Sequence, residues 1–470
     1  MNHLGQLIES ALAESQAVLE GHLGETIGGA EVIVRAKTMA DVLRAAGVVR
    51  DEPVLLIIRN QPLDVVGYLA IWQVGAVAVP VHADTLVENI EALRLRAGAR
   101  FSVRSGVIQS WANDFPLIRE GLRGAAIVVF TSGSTGKPKG VIVGHRALCF
   151  KLGVLSKLLS FEPSDRVVVP LQLTFIFGIW VTLLGLLSGS KVVLVSKLTP
   201  EAVTMLLPST TILAAVPTML RAIRAREQAV TAPSLRKILT GGEPLASALA
   251  TSLGEIFPTA AIYDLFGLTE TGSCDFCLGP AQQPQGLGTI GKPTEGVAFR
   301  IASGPEHGPG IGELQVKTRS VMLGYLDEPE LTANAFDGAY FKTGDLARLR
   351  QDGLVELVGR SKDIISRGGN KIAPLEIDNL FAQHPNVVSA MSFGIADQRL
   401  GQALHVIVVK RAGCNDTEQS MRDWAMSRIE KFKLPDAVHF CDVLPLGSTG
   451  KADRKTAAMM ITELLRSREI

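Results

Sequence analysis

Short apolar runs, many of them β-branched, punctuate the first half of the chain at residues 55–58, 76–81, 127–130, 166–169, 191–195 and 211–215. Between several of them apolar residues recur at helical spacing, as at 39–46 and 65–74. Strand-length runs without polar alternation read as strands covered on both faces. Their alternation with helices predicts layered α/β structure with largely parallel sheets. From residue 298 to 357 the period changes. Phe299-Arg300-Ile301, Glu313-Leu314-Gln315-Val316 and Leu354-Val355-Glu356-Leu357 alternate between Gly, Pro and Asp turns, which predicts half-exposed antiparallel strands in a small β-rich subdomain. After Gly359 a charged run, Arg360, Lys362, Asp363 and Arg367, enters a Gly368-Gly369-Asn370 turn. A helix at 377–384, strands at 387–395 and 405–409 and a helix at 418–430 follow. The pattern predicts a large N-terminal domain over 1–359, made of layered α/β sheets plus the β-rich subdomain, and a small α+β C-terminal domain over 360–470.

One segment tests this division. No charged side chain lies between Arg166 and Lys191, a length that could cross a bilayer. Pro170 and Gln172 near its start, Gly178 and Gly185 within it, and the β-rich run 192–195 divide it into strand, loop, helix and strand, so buried core is expected instead of a span. The 47 Lys and Arg against 46 Asp and Glu leave a formal net charge of +1, so no global field favours nucleic acid or an anionic membrane. A small ligand bound locally suits that balance. Five cysteines form no dense framework, and Met1-Asn2-His3-Leu4 lacks a basic stretch followed by an apolar one, so a cytoplasmic location is expected.

The strand predicted at 127–130 runs into Thr131-Ser132-Gly133-Ser134-Thr135-Gly136-Lys137-Pro138-Lys139-Gly140. Its glycines let backbone N–H groups turn toward an anion, its hydroxyls add donors and its two lysines add charge, a composition suited to polyphosphate. The P-loop of nucleotide triphosphatases needs a glycine five residues before Gly-Lys and Ser or Thr directly after it, where this chain has Thr131 and Pro138. Pro138 also removes a donor and biases Lys137 away from helix, so a phosphate-binding loop of another kind is expected. Ser132 and Ser134 have no partnered His and are read as phosphate contacts, not acyl nucleophiles.

In Tyr263-Asp264-Leu265-Phe266-Gly267-Leu268-Thr269-Glu270-Thr271-Gly272 an aromatic, a hydroxyl and two carboxylates share one glycine-bearing loop. Phe266 offers a ring for a base, Asp264 an acceptor for an exocyclic amine, Thr269 a phosphate contact and Glu270 an oxygen ligand for Mg²⁺. Tyr340-Phe341-Lys342-Thr343-Gly344-Asp345 places a carboxylate at a predicted strand-to-turn boundary, where it suits vicinal ribose hydroxyls or serves only the turn.

Taken with Gly359-Arg360-Ser361-Lys362-Asp363, Pro445-Leu446-Gly447-Ser448-Thr449-Gly450-Lys451 and the early stretch from Asn60 to Pro80, these motifs resemble, in order and spacing, the acyl-adenylate-forming family. That family comprises acyl-CoA synthetases, aryl-CoA ligases, luciferases and peptide-synthetase adenylation domains, and the resemblance covers nearly the whole chain. It implies an ATP- and Mg²⁺-dependent ligase of a carboxylic acid and coenzyme A. Thr131, Ser132, Gly133, Ser134, Thr135, Gly136, Lys137 and Lys139 would hold the β- and γ-phosphates. Gly241, Gly242, Glu243 and Pro244 would form one wall of the adenine site and border the acid pocket, with Phe266 across the base. Thr269 and Glu270 would meet phosphate and Mg²⁺, Asp345 the ribose, and Arg360 would neighbour it. Lys362 would be the hinge of a mobile C-terminal domain, Gly368 and Gly369 would line the thiol's approach, and Lys451 would be the catalytic lysine.

Departures from the family pattern bear on the acid. Phe266 stands where many relatives have Tyr, which removes a hydroxyl and keeps the ring. Pro170-Leu171-Gln172-Leu173 lacks the His that many acyl- and aryl-CoA ligases carry there. Phe175, Phe177 and Trp180 come with no acid to pair an α-amine, and with Gly241 and Gly267 they suggest a pocket for an apolar acyl or aryl acid. A carrier-protein phosphopantetheine as acceptor, a non-catalytic sensor of acyl groups or nucleotides, and a membrane acyl transporter with ligase activity are the other readings. Cys274 and Cys277 are expected to be pocket-wall thiols, not a metal pair. His145 is left between a core histidine and a nucleotide neighbour.

Overall fold

The computed structural model describes residues 3–112, 115, 119–131, 138–226, 231–304, 310–411, 413–445 and 453–468. Its β-branched runs pair in parallel, as uniform burial on both faces requires. A nine-stranded sheet has a parallel centre built from Val18–Gly21, Lys191–Leu194, Arg166–Val169, Ile212–Ala214, Lys237–Gly241 and Ala261–Phe266. Antiparallel strands close its edges, Thr26–Gly28 at one side and Phe276–Leu278 with Lys292–Pro293 at the other. A seven-stranded sheet sets Phe101–Arg104, Pro53–Ile58, Val77–His82 and Ala125–Thr131 in parallel and adds Lys139–Gly144 antiparallel to the last of these. One hydrophobic cluster joins residues of both sheets with the helices between them, including Trp72, Trp180 and Phe276.

The uncharged segment resolves into strand Arg166–Val169, helix Ile176–Leu187 and strand Lys191–Leu194. The helix buries nearly every residue, and among the described residues no helix is long and apolar enough to cross a membrane. Layered burial, not lipid, explains its composition.

The period-two region forms a five-stranded antiparallel sheet of Val297–Ser303, Ile311–Thr318, Tyr340–Leu349, Phe336–Asp337 and Val355–Arg360. The last pairing of this sheet is Asp345 with Arg360, and the next sheet begins at Ile365. That final sheet contains Ile365–Arg367, Asn370–Ile372, Val387–Asp397, Gly401–Lys410 and Ala437–Cys441, with a separate core around Ile377, Phe381 and Met421. Gly368 and Gly369, at φ 55 and 83, close its first hairpin in the left-handed conformation that a two-residue turn demands.

Several element ends differ from the sequence pattern. The helix expected at 39–46 is the second half of Gly29–Ala45, whose first half carries exposed Glu31, Arg35 and Lys37 and so hides its apolar stripe. The helix expected at 377–384 begins at Pro374, where a proline's missing N–H costs nothing, and ends at Phe381. The helix expected at 418–430 ends at Met426.

Candidate active site

The family loop starts where strand Ala125–Thr131 ends. Thr131 pairs with Lys139 across the antiparallel partner, so both ends of the loop are tied to the seven-stranded sheet. Ser132, Gly133, Ser134, Thr135, Gly136 and Lys137 lie outside the described residues, as does Lys451. Lys139 sets its ammonium 5.4 Å from the centre of the Tyr325 ring, a cation–π contact. The Tyr325 hydroxyl in turn donates to Glu270 Oε1 at 3.0 Å, and burial, helped by the neighbouring Glu270 carboxylate, pushes the phenol well up.

Glu270 lies in the single 3₁₀ turn Thr269–Thr271, directly beyond the C-terminal end of strand Ala261–Phe266. Ligand sites of parallel sheets form at that end of the strands, where loops leave the sheet. The neighbouring strand Lys237–Gly241 delivers Gly241, Gly242, Glu243 and Pro244 to the same end. Gly241 and Gly267 are required by packing: a Cβ on the first would collide with the Leu265 carbonyl and one on the second with the Cys274 N–H. Glu243 spends its carboxylate on the start of helix Pro217–Arg224, accepting from the Thr218 hydroxyl at 2.6 Å and its N–H at 3.2 Å. Asp264 faces Thr240 across the parallel pair, and burial pushes its carboxyl up to about 7. Phe266 meets Phe276 edge to face at 6.1 Å.

Asp345 corrects its sequence reading. It lies inside strand Tyr340–Leu349, not at a turn, where a register shift against Ile311–Thr318 with positive φ at Gly344 takes it out of that ladder while it stays paired with Arg360 on the other side. The bulge is invisible to a turn-residue argument because Gly344 marks both turns and bulges. Asp345 Oδ1 accepts from Arg360 Nε at 2.9 Å, while Oδ2 is buried and has no hydrogen-bond partner among the described residues. Burial raises this carboxyl and Arg360 opposes the shift; Arg360 is itself held charged by Asp345, Asp363 and Glu270. Lys139, Tyr325, Glu270, Arg360 and Asp345 thus form one electrostatic chain.

Around it, Lys362 is exposed in the turn Ser361–Asp363, and Gly368 and Gly369 are exposed at the hairpin tip. Phe175 precedes helix Ile176–Leu187, and half-buried Phe177 tilts against Trp180 at 5.2 Å. Cys274 and Cys277 are free and buried, and burial pushes the Cys274 thiol up to about 12, which keeps it protonated. His145 is a core histidine: it stacks on His3 at 3.9 Å, accepts the Leu4 N–H and is pushed down to about 3. Sequence reading missed Tyr325, whose Gly-Tyr context carries no chemistry until the sheet brings it to Glu270.

A layered α/β part and a small α+β part, with Glu270, Tyr325, Asp345 and Arg360 brought to the strand ends, fit an acyl-adenylate-forming enzyme. Residues 12–326 match the AMP-binding enzyme family and residues 376–451 the AMP-binding enzyme C-terminal domain, and the chain belongs to that family. Feruloyl-CoA synthase of Amycolatopsis is 31% identical over 94% of this chain and 96% of its own length. 2-Succinylbenzoate–CoA ligase of Bacillus licheniformis is 32% identical over 70% of this chain and 69% of its own. ATP-bound MatB from Rhodopseudomonas palustris superposes with a TM-score of 0.85 at 24% identity, over 98% of this chain and 99% of its own, a likeness of fold.

Proposed function

We propose that this chain joins an apolar acyl or aryl carboxylic acid to coenzyme A in two steps. A carboxylate oxygen bonds to the α-phosphorus of ATP as the bond to pyrophosphate breaks. A thiol sulfur then bonds to the acyl carbon, releasing AMP and the thiol proton. The observation that carries the reading is the buried, unpartnered Oδ2 of Asp345 beside an oxygen already held by Arg360. A buried acceptor left unpaired costs about 1–3 kcal/mol, and donor hydroxyls of a ribose would satisfy it.

The other residues supply what the charge changes need. Lys139 and its loop would offset charge on the leaving pyrophosphate, and Lys451 would bridge the acid and the α-phosphate as charge builds. Glu270 fits Mg²⁺: a half-buried carboxylate with one oxygen held by Tyr325 and no cation bonded to it among the described residues. Bound there through ATP phosphates, the ion would neutralise polyphosphate charge. The division at Arg360, the hinge at Lys362 and the mobility of the C-terminal domain belong to this proposal, and they let one site serve two half-reactions. The acid meets half-buried Phe175 and Phe177, and no acidic residue occurs in that segment to pair an α-amine.

Acid-dependent exchange of labelled pyrophosphate into ATP, across aliphatic and aromatic acids, tests the first step. Exchange with at least one apolar acid is expected, and silence across the panel would favour a nucleotide sensor. Loss of coenzyme A thiol tests the second step; transfer only to carrier-protein phosphopantetheine would replace the acceptor.

A further inference from the structure

Beneath the turn that carries Thr269 and Glu270 lies a buried ion pair. Lys151, within helix His145–Leu159, is 1% exposed, and its ammonium donates to Asp275 Oδ1 at 3.2 Å and to the Cys274 carbonyl at 3.1 Å. The second Asp275 oxygen accepts from the Thr271 hydroxyl, and the Asp275 N–H donates to the Phe266 carbonyl at 2.7 Å. Thr271 ends the turn, and its carbonyl accepts from the buried Ser320 hydroxyl at 2.9 Å. Thr294 adds a hydroxyl donor to the Cys274 carbonyl at 3.0 Å.

The clamped backbone is strained. Gly272, Ser273 and Cys274 have φ 77, 64 and 52, three successive left-handed residues of which two carry side chains. Such conformations persist only where their surroundings over-determine them. The attraction within a buried ammonium–carboxylate pair is largely offset by desolvation, so net stability is a weak reason for it. Its bonds converge on the 266–275 backbone from a helix, a strand and a turn, so what they fix is the geometry of that segment.

We propose that Lys151 and Asp275 are positioning residues for Thr269 and Glu270, setting the height and direction from which Glu270 meets ATP-bound Mg²⁺. This rests on the assignment of Glu270 given above. The pair acts through the backbone from behind the turn.

Lys151→Met alone strands a buried charge and is expected to unfold or weaken the protein. Lys151→Met combined with Asp275→Asn removes both charges and keeps an acceptor for Thr271, so its Tm is expected to return near that of the parent. The Mg²⁺ concentration giving half-maximal ATP binding, read by titration calorimetry, is expected to rise about 10-fold in this double variant, the scale of losing an outer support of a metal ligand. The KM for the acid should barely move. Parental Mg²⁺ dependence at recovered Tm overturns the proposal. Thr271→Val, which keeps the ion pair and removes its link to the turn together with the bonds of the same hydroxyl to the Leu268 N–H and carbonyl, is expected to shift Mg²⁺ dependence in the same direction, whereas Thr271→Ser should not. An unchanged Thr271→Val overturns the proposal even where the double variant fails to fold. Glu270→Gln separates the two layers: if it leaves Mg²⁺ dependence unchanged, the Glu270 assignment fails and this inference falls with it.

Discussion

Asp264 carries a proton dependence that can be worked out in sign. Burial raises its folded pKa to about 7 from an ordinary 3.8, so between those values the folded chain binds more proton than the unfolded one. Its contribution to stability is fully present below 3.8 and is lost as pH rises through about 7. The unfolding temperature of the parent should therefore fall more steeply as pH rises from 3.8 to about 7 than that of Asp264→Asn, with no further difference in slope above that; parallel curves would contradict the burial argument. Lys451→Ala tests a different property, because its proposed contacts strengthen only as charge develops. Adenylation is expected to fall by about 100-fold or more while ATP affinity changes little, as single-turnover rates beside calorimetric binding would reveal. Equal losses of both would contradict the assignment. Of the groups proposed for the site, Asp345 and Glu270 were singled out by motif and order. Tyr325, Lys151 and Asp275 were not, because their chemistry arises from three-dimensional proximity between segments far apart in sequence.

At the scale of elements, uniformly buried strands were the most readable part, since β-branched runs such as Pro53–Ile58 and Arg166–Val169 leave little choice of period. The edge strand Ala437–Cys441 escaped because it mixes half-buried and exposed positions, with Phe440 38% exposed. The bulge at Gly344 escaped for the opposite reason, a residue whose local signal has two meanings. The turn at Gly368 and Gly369 was readable, whereas the short strands Ile365–Arg367 and Asn370–Ile372 on either side were not, and its geometry gives a selective test. Gly369→Val forces a branched side chain into φ 83 where no atom of the described residues lies within 4 Å of the added Cβ, so the cost is borne by the backbone and not by a clash. The thioester step is expected to slow by about 10- to 100-fold through misplacement of the thiol's path, with pyrophosphate exchange nearly intact. Stopped-flow assay of each half-reaction would check this, and equal slowing of both would remove the hairpin from the thiol's approach.

Across the whole molecule, the change from period-helix and uniform strands to period-two strands, and then to a second α+β pattern, mapped onto separate sheets because each sheet needs its own buried face. What the pattern could not convey is how the sheets communicate. Asp345 and Arg360 are the last paired residues of one sheet, and Ser361, immediately after, donates its hydroxyl to the Gly344 carbonyl at 3.2 Å. The connector to the final sheet is thus fastened beside the oxygen assigned to the ribose. Nucleotide bound there would lower the frequency with which residues 361–364 come loose. Limited proteolysis with and without ATP is expected to show slower cleavage in that connector when ATP is present, and equal rates would sever the link. A protease would then read occupancy of the cleft from the outside, which makes the joint itself a built-in reporter of whether the first substrate has arrived.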